Sequence, residues 1–223
     1  MPTIVLTRQA ARYLVDAALS ACSRDDLTPS ICGAHISLEG DMLRVVATDR
    51  YRVHTTTVKL HSFNGDPAAI LPLEALEWLR TNAAYFGRNA EILQRIRIDV
   101  EPHPEAPEFG LRYPGKLTIT VMQSDLDDAD TVSWSGRHTR GNFPPVMNLI
   151  ETARKAEAIT ATPRLRLDYV AKVQRLTRKA HQPVRQKFTT GGNPNKPGPV
   201  YFAVEEDGVV VAEALLQPQL EPR

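Results

Sequence analysis

The most constraining feature of this chain is an order of elements that recurs three times. A short apolar run leads directly into a helical pattern, and β-rich runs follow it. In the first round Thr3–Leu6 reads as a strand, and Thr7 is placed to cap the helix behind it. Ala11, Leu14, Val15, Ala18, Leu19 and Cys22 recur at helical spacing. That spacing predicts an amphipathic helix from Arg8 to Cys22, with Arg8, Gln9, Arg12 and Asp16 off its apolar stripe. Ala34–Leu38 and Met42–Ala47 flank the turn Glu39-Gly40-Asp41 as a hairpin, and Tyr51–Leu60 extends the β-rich run.

The second round starts with the strand Ala68–Leu71. Pro72 stands where a helix can begin, and Leu73, Leu76, Leu79 and Arg80 continue it. Arg95–Val100 alternates as a strand, Phe109–Tyr113 and Lys116–Met122 read as a hairpin across Pro114-Gly115, and Thr131–Trp134 closes the round. In the third round Arg164–Leu167 is strand-like, and Asp168 can cap a helix holding Tyr169, Val170, Val173, Leu176 and Ala180. Val184–Thr189, Val200–Val204 and Val209–Leu216 are its strands. Sequence identity between rounds is slight; the order is what repeats. The expected fold class is α+β, with helices on one face of antiparallel sheets.

A chain of 223 residues is expected to hold one or two domains and to bury a sizeable core. Charged residues at 24% argue against wholesale disorder. No run approaches the roughly 18 apolar residues that span a bilayer. The N-terminus lacks the basic start and long apolar stretch of a signal peptide. Cys22 and Cys32 are too few for a disulfide framework or a four-ligand zinc site, so two reduced thiols in a cytoplasmic protein are expected.

The net charge of +1 hides its distribution. Between Glu151 and Val200 eleven basic residues face three acidic ones, a balance of +8 that leaves −7 for the remainder. Lys172, Arg175 and Lys179 fall at i, i+3 and i+7, on one face of the third predicted helix, as Arg8 and Arg12 do on the first. Such faces suit sequence-independent contact with phosphates, by displacing counterions rather than reading bases.

Other patterns carry no chemistry. Gly191–Pro199 lacks the Gly-Lys-Ser/Thr ending of a phosphate loop, and its prolines remove amide donors. Asp125–Asp130 lacks calcium-loop spacing. The histidines are scattered, with no metal-ligand pairing. No catalytic residue, cofactor or metal is assigned.

Four motifs resemble one family. Leu43-Arg44-Val45-Val46-Ala47-Thr48-Asp49-Arg50-Tyr51-Arg52-Val53 resembles a strand of the bacterial sliding clamp, the DNA polymerase III β subunit, that ends in a Val-Ala-Thr-Asp-Gly-His-Arg-Leu pattern. Gly141-Asn142-Phe143-Pro144-Pro145-Val146-Met147-Asn148-Leu149-Ile150 is similar to its Gly-Arg-Phe-Pro-Asp-Tyr segment. Ile70-Leu71-Pro72 is similar to its Ile-Val-Pro helix entry. Leu215-Leu216-Gln217-Pro218-Gln219-Leu220 resembles its C-terminal tail. By this resemblance residues 1–150 form one complete clamp-like domain, and 151–223 a second, shortened one. Arg50 departs from the family where glycine is usual, at a place where a glycine takes positive φ cheaply. Gln217 and Gln219 replace methionines.

The resemblance implies a non-enzymatic DNA sliding clamp, in a short version such as a phage or mobile element carries. It would encircle double-stranded DNA as a homo-oligomer, with a trimer favoured, and tether a polymerase and other partners, served by a clamp loader. Arg8, Arg12, Lys172, Arg175 and Lys179 would face DNA. Thr48, Tyr51, Arg52, Val53, Pro144, Leu149, Leu215, Leu216 and Pro218 match the family's peptide groove. The alternative is a binding module without a ring, which captures clamp-binding peptides and competes with a host clamp. A third reading is an enzyme built on the same scaffold.

Overall fold

The computed structural model describes residues 1–87, 93–101, 115–126, 129–139, 141–158, 163–190 and 197–219. Phe109–Tyr113, the turn at Pro114 and most of the loop after Thr190 lie outside the described residues.

The first module is β1 (Thr3–Thr7), α1 (Arg8–Ala21), β2 (Gly33–Glu39), β3 (Met42–Thr48) and β4 (Arg52–Lys59), with a short β5 (Ser62–Asn64) behind it. The second is β6 (Ala69–Pro72), α2 (Leu73–Asn82), β7 (Arg95–Val100), β8 (Lys116–Met122) and β9 (Thr131–Arg137). A helix α3 (Met147–Lys155) precedes the third module, which holds α4 (Leu167–Val173), β10 (Val184–Thr190), β11 (Pro197–Glu206) and β12 (Val209–Leu216). Thr7 caps α1 as its sequence position predicts, its side chain accepting from the Ala10 amide.

Two antiparallel sheets result, in the orders β5-β1-β7-β8-β9 and β10-β11-β12-β4-β3-β2-β6. The lead strands cross over. β1 leaves its own module and joins the sheet of the second, beside β7; β6 joins the sheet of the first, beside β2. The registers correspond, since the helix-cap residue stands opposite the first residue of the host strand in both: Thr7 opposite Arg95, and Pro72 opposite Gly33. Strand β12 pairs with β4, so the larger sheet runs without a break from the first module into the third.

One backbone hydrogen bond marks all three modules. The residue two before the helix cap accepts from the chain just past the module's last strand: Val5 from His61 (2.8 Å), Ile70 from Thr139 (2.9 Å) and Arg164 from Gln219 (2.8 Å). In the third module this bridge replaces the expected strand Arg164–Leu167. The helix there is also shorter than its apolar spacing predicts. It starts after Arg166 rather than at a cap on Asp168, ends at Val173, and continues only as one 3-10 turn over Gln174–Leu176.

The main core lies between the sheets and under α1 and α2. Ile4, Leu6, Leu14, Ile36, Leu71, Leu76, Leu79, Ile96 and Ile119 are fully buried there. A second core on the same side packs Val173 and Leu176 on Val200, Phe202, Val204 and Leu216. The opposite face of the larger sheet carries a third cluster, in which Ile150 and Ala153 of α3 cover Val46, Val53, Tyr201, Ala203 and Leu215. Gly33 permits the β2–β6 crossover, because a Cβ there would stand 2.3 Å from the Leu71 carbonyl oxygen. Leu71→Ala, at the exchanged strand, is expected to cost about 2–5 kcal/mol of unfolding free energy. Urea denaturation measures it, and an unshifted midpoint would show that β6 is not a seated strand.

Candidate functional site

Two surfaces gather the residues singled out above. The first is the helical side of the larger sheet. Arg8 opens α1, and its guanidinium donates to the Gly87 carbonyl at 3.0 Å. One turn on, Arg12 is largely exposed, 3.7 Å from the Asp16 carboxylate. Burial raises the Asp16 carboxyl above the usual range, against the pull of Arg12, Arg175 and Arg80. A cavity of about 200 Å³ between α1 and α2 is lined by Arg8, Arg12, Tyr13, Asp16, Arg80 and Arg178.

The structure therefore brings Arg8, Arg12 and Arg175 into one electrostatic neighbourhood and adds Arg80 and Arg178 to it. Lys172 and Lys179 do not join them on one helix face. Lys172 is half-buried, and desolvation together with the nearby Arg52 lowers its ammonium pKa. Lys179 lies past the end of the helix, with its ammonium 3.2 Å from Glu206. Arg178 also pairs with Glu206, at 3.0 Å, and lies over the Tyr13 ring.

Beneath α1 and α4 sits a buried polar group that the sequence did not announce. His54 of β4 is fully buried, and its Nδ1 lies 2.6 Å from the Ser20 hydroxyl of α1. Burial, reinforced by Arg52 and Lys172, pushes its pKa down to about 3. The folded chain thus keeps His54 neutral, while the unfolded chain protonates it below about 6.5. Stability from this group is complete above pH 6.5 and falls as pH drops toward 3, by up to about 1.4 kcal/mol per pH unit. Comparing urea unfolding at pH 7 and pH 5, His54→Gln should lose less stability than the parent chain. An equal loss in both would assign the acid sensitivity elsewhere.

The second surface is the opposite face, around α3. Val53 and Leu215 lie under this helix, and Thr48 is buried at the end of β3. Leu149 of α3 is 54% exposed, presenting an apolar side chain to solvent. Pro144 is half-buried and lines a separate cavity of about 490 Å³ with His35, Val46, Ile70 and Phe143. Tyr51 and Pro218 do not join α3: they line a further cavity of about 660 Å³ beside α4, with Arg166, Tyr169, Gln217 and Gln219.

The remaining two expected groove residues point to the helical side. Leu216 is buried in the core under α4. Arg52 is 6% exposed, 2.9 Å from Asp49, with its guanidinium carbon 4.2 Å from the centre of the Tyr169 ring. Strand alternation separates them from Val53 and Leu215, because neighbouring residues of a strand face opposite sides.

α3 is pinned across the sheet. Arg154 donates to both Glu213 oxygens, at 3.0 and 2.7 Å, and the Tyr201 hydroxyl donates to the same carboxylate at 2.6 Å. Lys187 donates to the Arg154 and Ala156 carbonyls, a cation at the helix C-terminus. Arg50 adopts φ of +77°, so the left-handed turn is kept without glycine. Its side chain reaches Thr28 and stands 3.7 Å from Asp25. No group of three or more histidine, cysteine or acidic side chains is placed to hold a metal among the described residues. No helix there is long and apolar enough to cross a membrane.

No protein-family model matches the sequence, and no curated protein does. Solved structures do. A C. crescentus beta sliding clamp matches at a TM-score of 0.64 and 14% identity, over 98% of this chain and 66% of that one. The DNA polymerase III beta chain of Streptococcus pneumoniae matches at 0.64 and 13%, over 98% and 64%. The Thermotoga maritima beta subunit matches at 0.62 and 11%, over 100% and 66%. The chain has the α+β fold of the sliding clamps and spans slightly less than two thirds of the length of these structures.

Proposed function

We propose that this chain is a DNA sliding clamp, a processivity factor that holds a polymerase on double-stranded DNA. The observation that carries the reading is the arginine-lined helical face, on the fold of the sliding clamps. Arg8, Arg12, Arg80 and Arg175 meet phosphates there without reading bases. Such contact retains the duplex and leaves it able to slide. Nothing reacts in this mechanism: the tether raises the effective concentration of polymerase at the primer end.

The partner groove is the surface that presents Tyr51, Pro144 and Leu149, with Thr48, Val53, Leu215 and Pro218 buried beneath it as support. An apolar patch with few polar anchors suits a short linear peptide from a polymerase or another clamp-binding protein. Residues 1–150 are the complete unit and 151–223 the shortened one. With three modules in each chain, a ring of six two-module units takes four chains, rather than the three that two full units per chain would need. Loading onto closed DNA then calls for a loader, and the setting is cytoplasmic.

The second reading, a module that binds clamp-seeking peptides without forming a ring, is favoured by the position of β10 at the open end of its sheet among the described residues. Retention on primed circular against linear DNA separates the two. The ring reading expects retention on circles and loss from linear ends; equal loss from both overturns it. Replacing Arg8, Arg12 and Arg175 by Ala should flatten the salt dependence of DNA binding by up to about 3 in log–log slope, roughly one per lost phosphate contact. An unchanged slope removes these residues from the DNA face.

A further inference from the structure

We infer that the third module is completed by a second copy of this chain, through a two-fold exchange of lead segments onto the edge of β10. The inference rests on the fold alone and stands whether or not the chain encircles DNA.

The template is the complete unit itself. There two modules exchange lead strands reciprocally, with the cap residue of each opposite the first residue of the other's host strand. The residue immediately before each cap, Leu6 or Leu71, is thereby fully buried. Helices α1 and α2 then pack side by side, and Arg8 at the start of α1 meets the Gly87 carbonyl beyond α2.

The third module repeats one half of this arrangement. Leu165 stands immediately before the cap Arg166, as Leu6 and Leu71 stand before Thr7 and Pro72. The marker hydrogen bond, Arg164 carbonyl to Gln219 amide, holds the lead segment where Val5 and Ile70 are held. Strand β10 corresponds to the host strands β2 and β7. Yet β10 ends its sheet, and among the described residues only Ala158, bridged to Thr189, lies along that edge. The core beside it is correspondingly open. Leu165, Tyr169, Val170, Val184 and Phe188 pack on it only partly buried, and Leu167 is 83% exposed.

A second copy supplies the strand partner that β10 lacks among the described residues, because the occupant of this edge in the complete unit is a module of the same kind. Rotation by two-fold symmetry sets each lead segment on the other chain's β10 and each α4 beside its counterpart, giving a closed, isologous contact. The cap register of the complete unit places Arg166 opposite Val184, Leu165 opposite Arg185 and Arg164 opposite Gln186. The charges at this edge are already answered within the chain, Arg185 by Glu205 and Arg166 by Asp168. The seven residues of α4, the seven of β10 and the lead segment approach the roughly 20 residues a side of a standard-size interface.

The test is solution mass combined with directed cross-linking. Light scattering should give twice the 24.8 kDa chain mass, or four times if dimers assemble further. Leu167→Asp, at an exposed position, should halve the measured mass while leaving the far-ultraviolet circular dichroism unchanged. In a Cys22→Ala, Cys32→Ser background, a chain carrying Arg164→Cys is mixed with one carrying Gln186→Cys and oxidised. A disulfide joining the two different chains is expected, with neither chain cross-linking efficiently to itself. A monomer or trimer mass overturns the proposal. So does a dimer that Leu167→Asp leaves intact and that forms no mixed-chain disulfide. A folded dimer without topological retention on circular DNA keeps this proposal and discards the ring.

Discussion

The exchange of a four- or five-residue strand between neighbouring modules is the contact on which the molecule depends. A lead strand and its helix together bury little on their own. Set into another module's sheet, the lead strand seals the end of that sheet and carries its own helix across the seam. Leu6 and Leu71 sit at this junction, each one residue before a helix cap, and both are excluded from water. The position of each helix therefore follows from a backbone register, not from side-chain packing alone. That is why α1 and α2 end side by side and why their outward arginines can share a cavity.

The larger sheet turns this local device into a long-range one. Because β12 pairs with β4, seven strands form a single support with two different faces. One face carries the helices and the arginines. The other carries α3, pinned by Arg154 to Glu213 and by Lys187 to the end of the helix. A half-buried ion pair is weak evidence for stability, because desolvation offsets much of the attraction. Its geometry does fix where α3 lies. Ile150, Val53 and Leu215 are brought together by that placement, although they come from three distant stretches of chain.

Much of this order is legible in the sequence, since strand and helix periods are short-range signals. The spacing of Ala11, Leu14, Val15 and Ala18 and the cap at Thr7 place α1 to within a residue. Arg95–Val100 and Lys116–Met122 alternate plainly and form strands over those same residues. α3 has a short local signal, Met147, Ile150 and Ala153 at i, i+3 and i+6, but the sheet face they cover, assembled from β3, β4, β11 and β12, leaves no local trace. β5 is three exposed residues held by β1 alone. Leu176 and Ala180 continue the helical spacing of α4, yet the chain turns at Thr177, where Gln182 answers the Arg178 and Lys179 amides and holds the turn. The groove residues were half legible. The motif finds the right strands, but alternation then assigns Arg52 and Leu216 to the helical side.

Charge shows most clearly how far a count differs from a surface. The balance of +8 between Glu151 and Val200 suggests a strongly basic region, and the fold ties five of its eleven cations into ion pairs. Arg154 is held by Glu213, Arg178 and Lys179 by Glu206, Arg185 by Glu205, and Arg166 by Asp168. Three of those four carboxylates belong to the acidic remainder of the sequence, brought back by the β11–β12 hairpin. Cation positions that remain open toward solvent on the helical face are Arg12, Arg80 and Arg175, contributed by all three modules. One cation from each module, spaced by the repeat rather than clustered in one segment, is the pattern that lets a surface follow a phosphate backbone without gripping it at a single point.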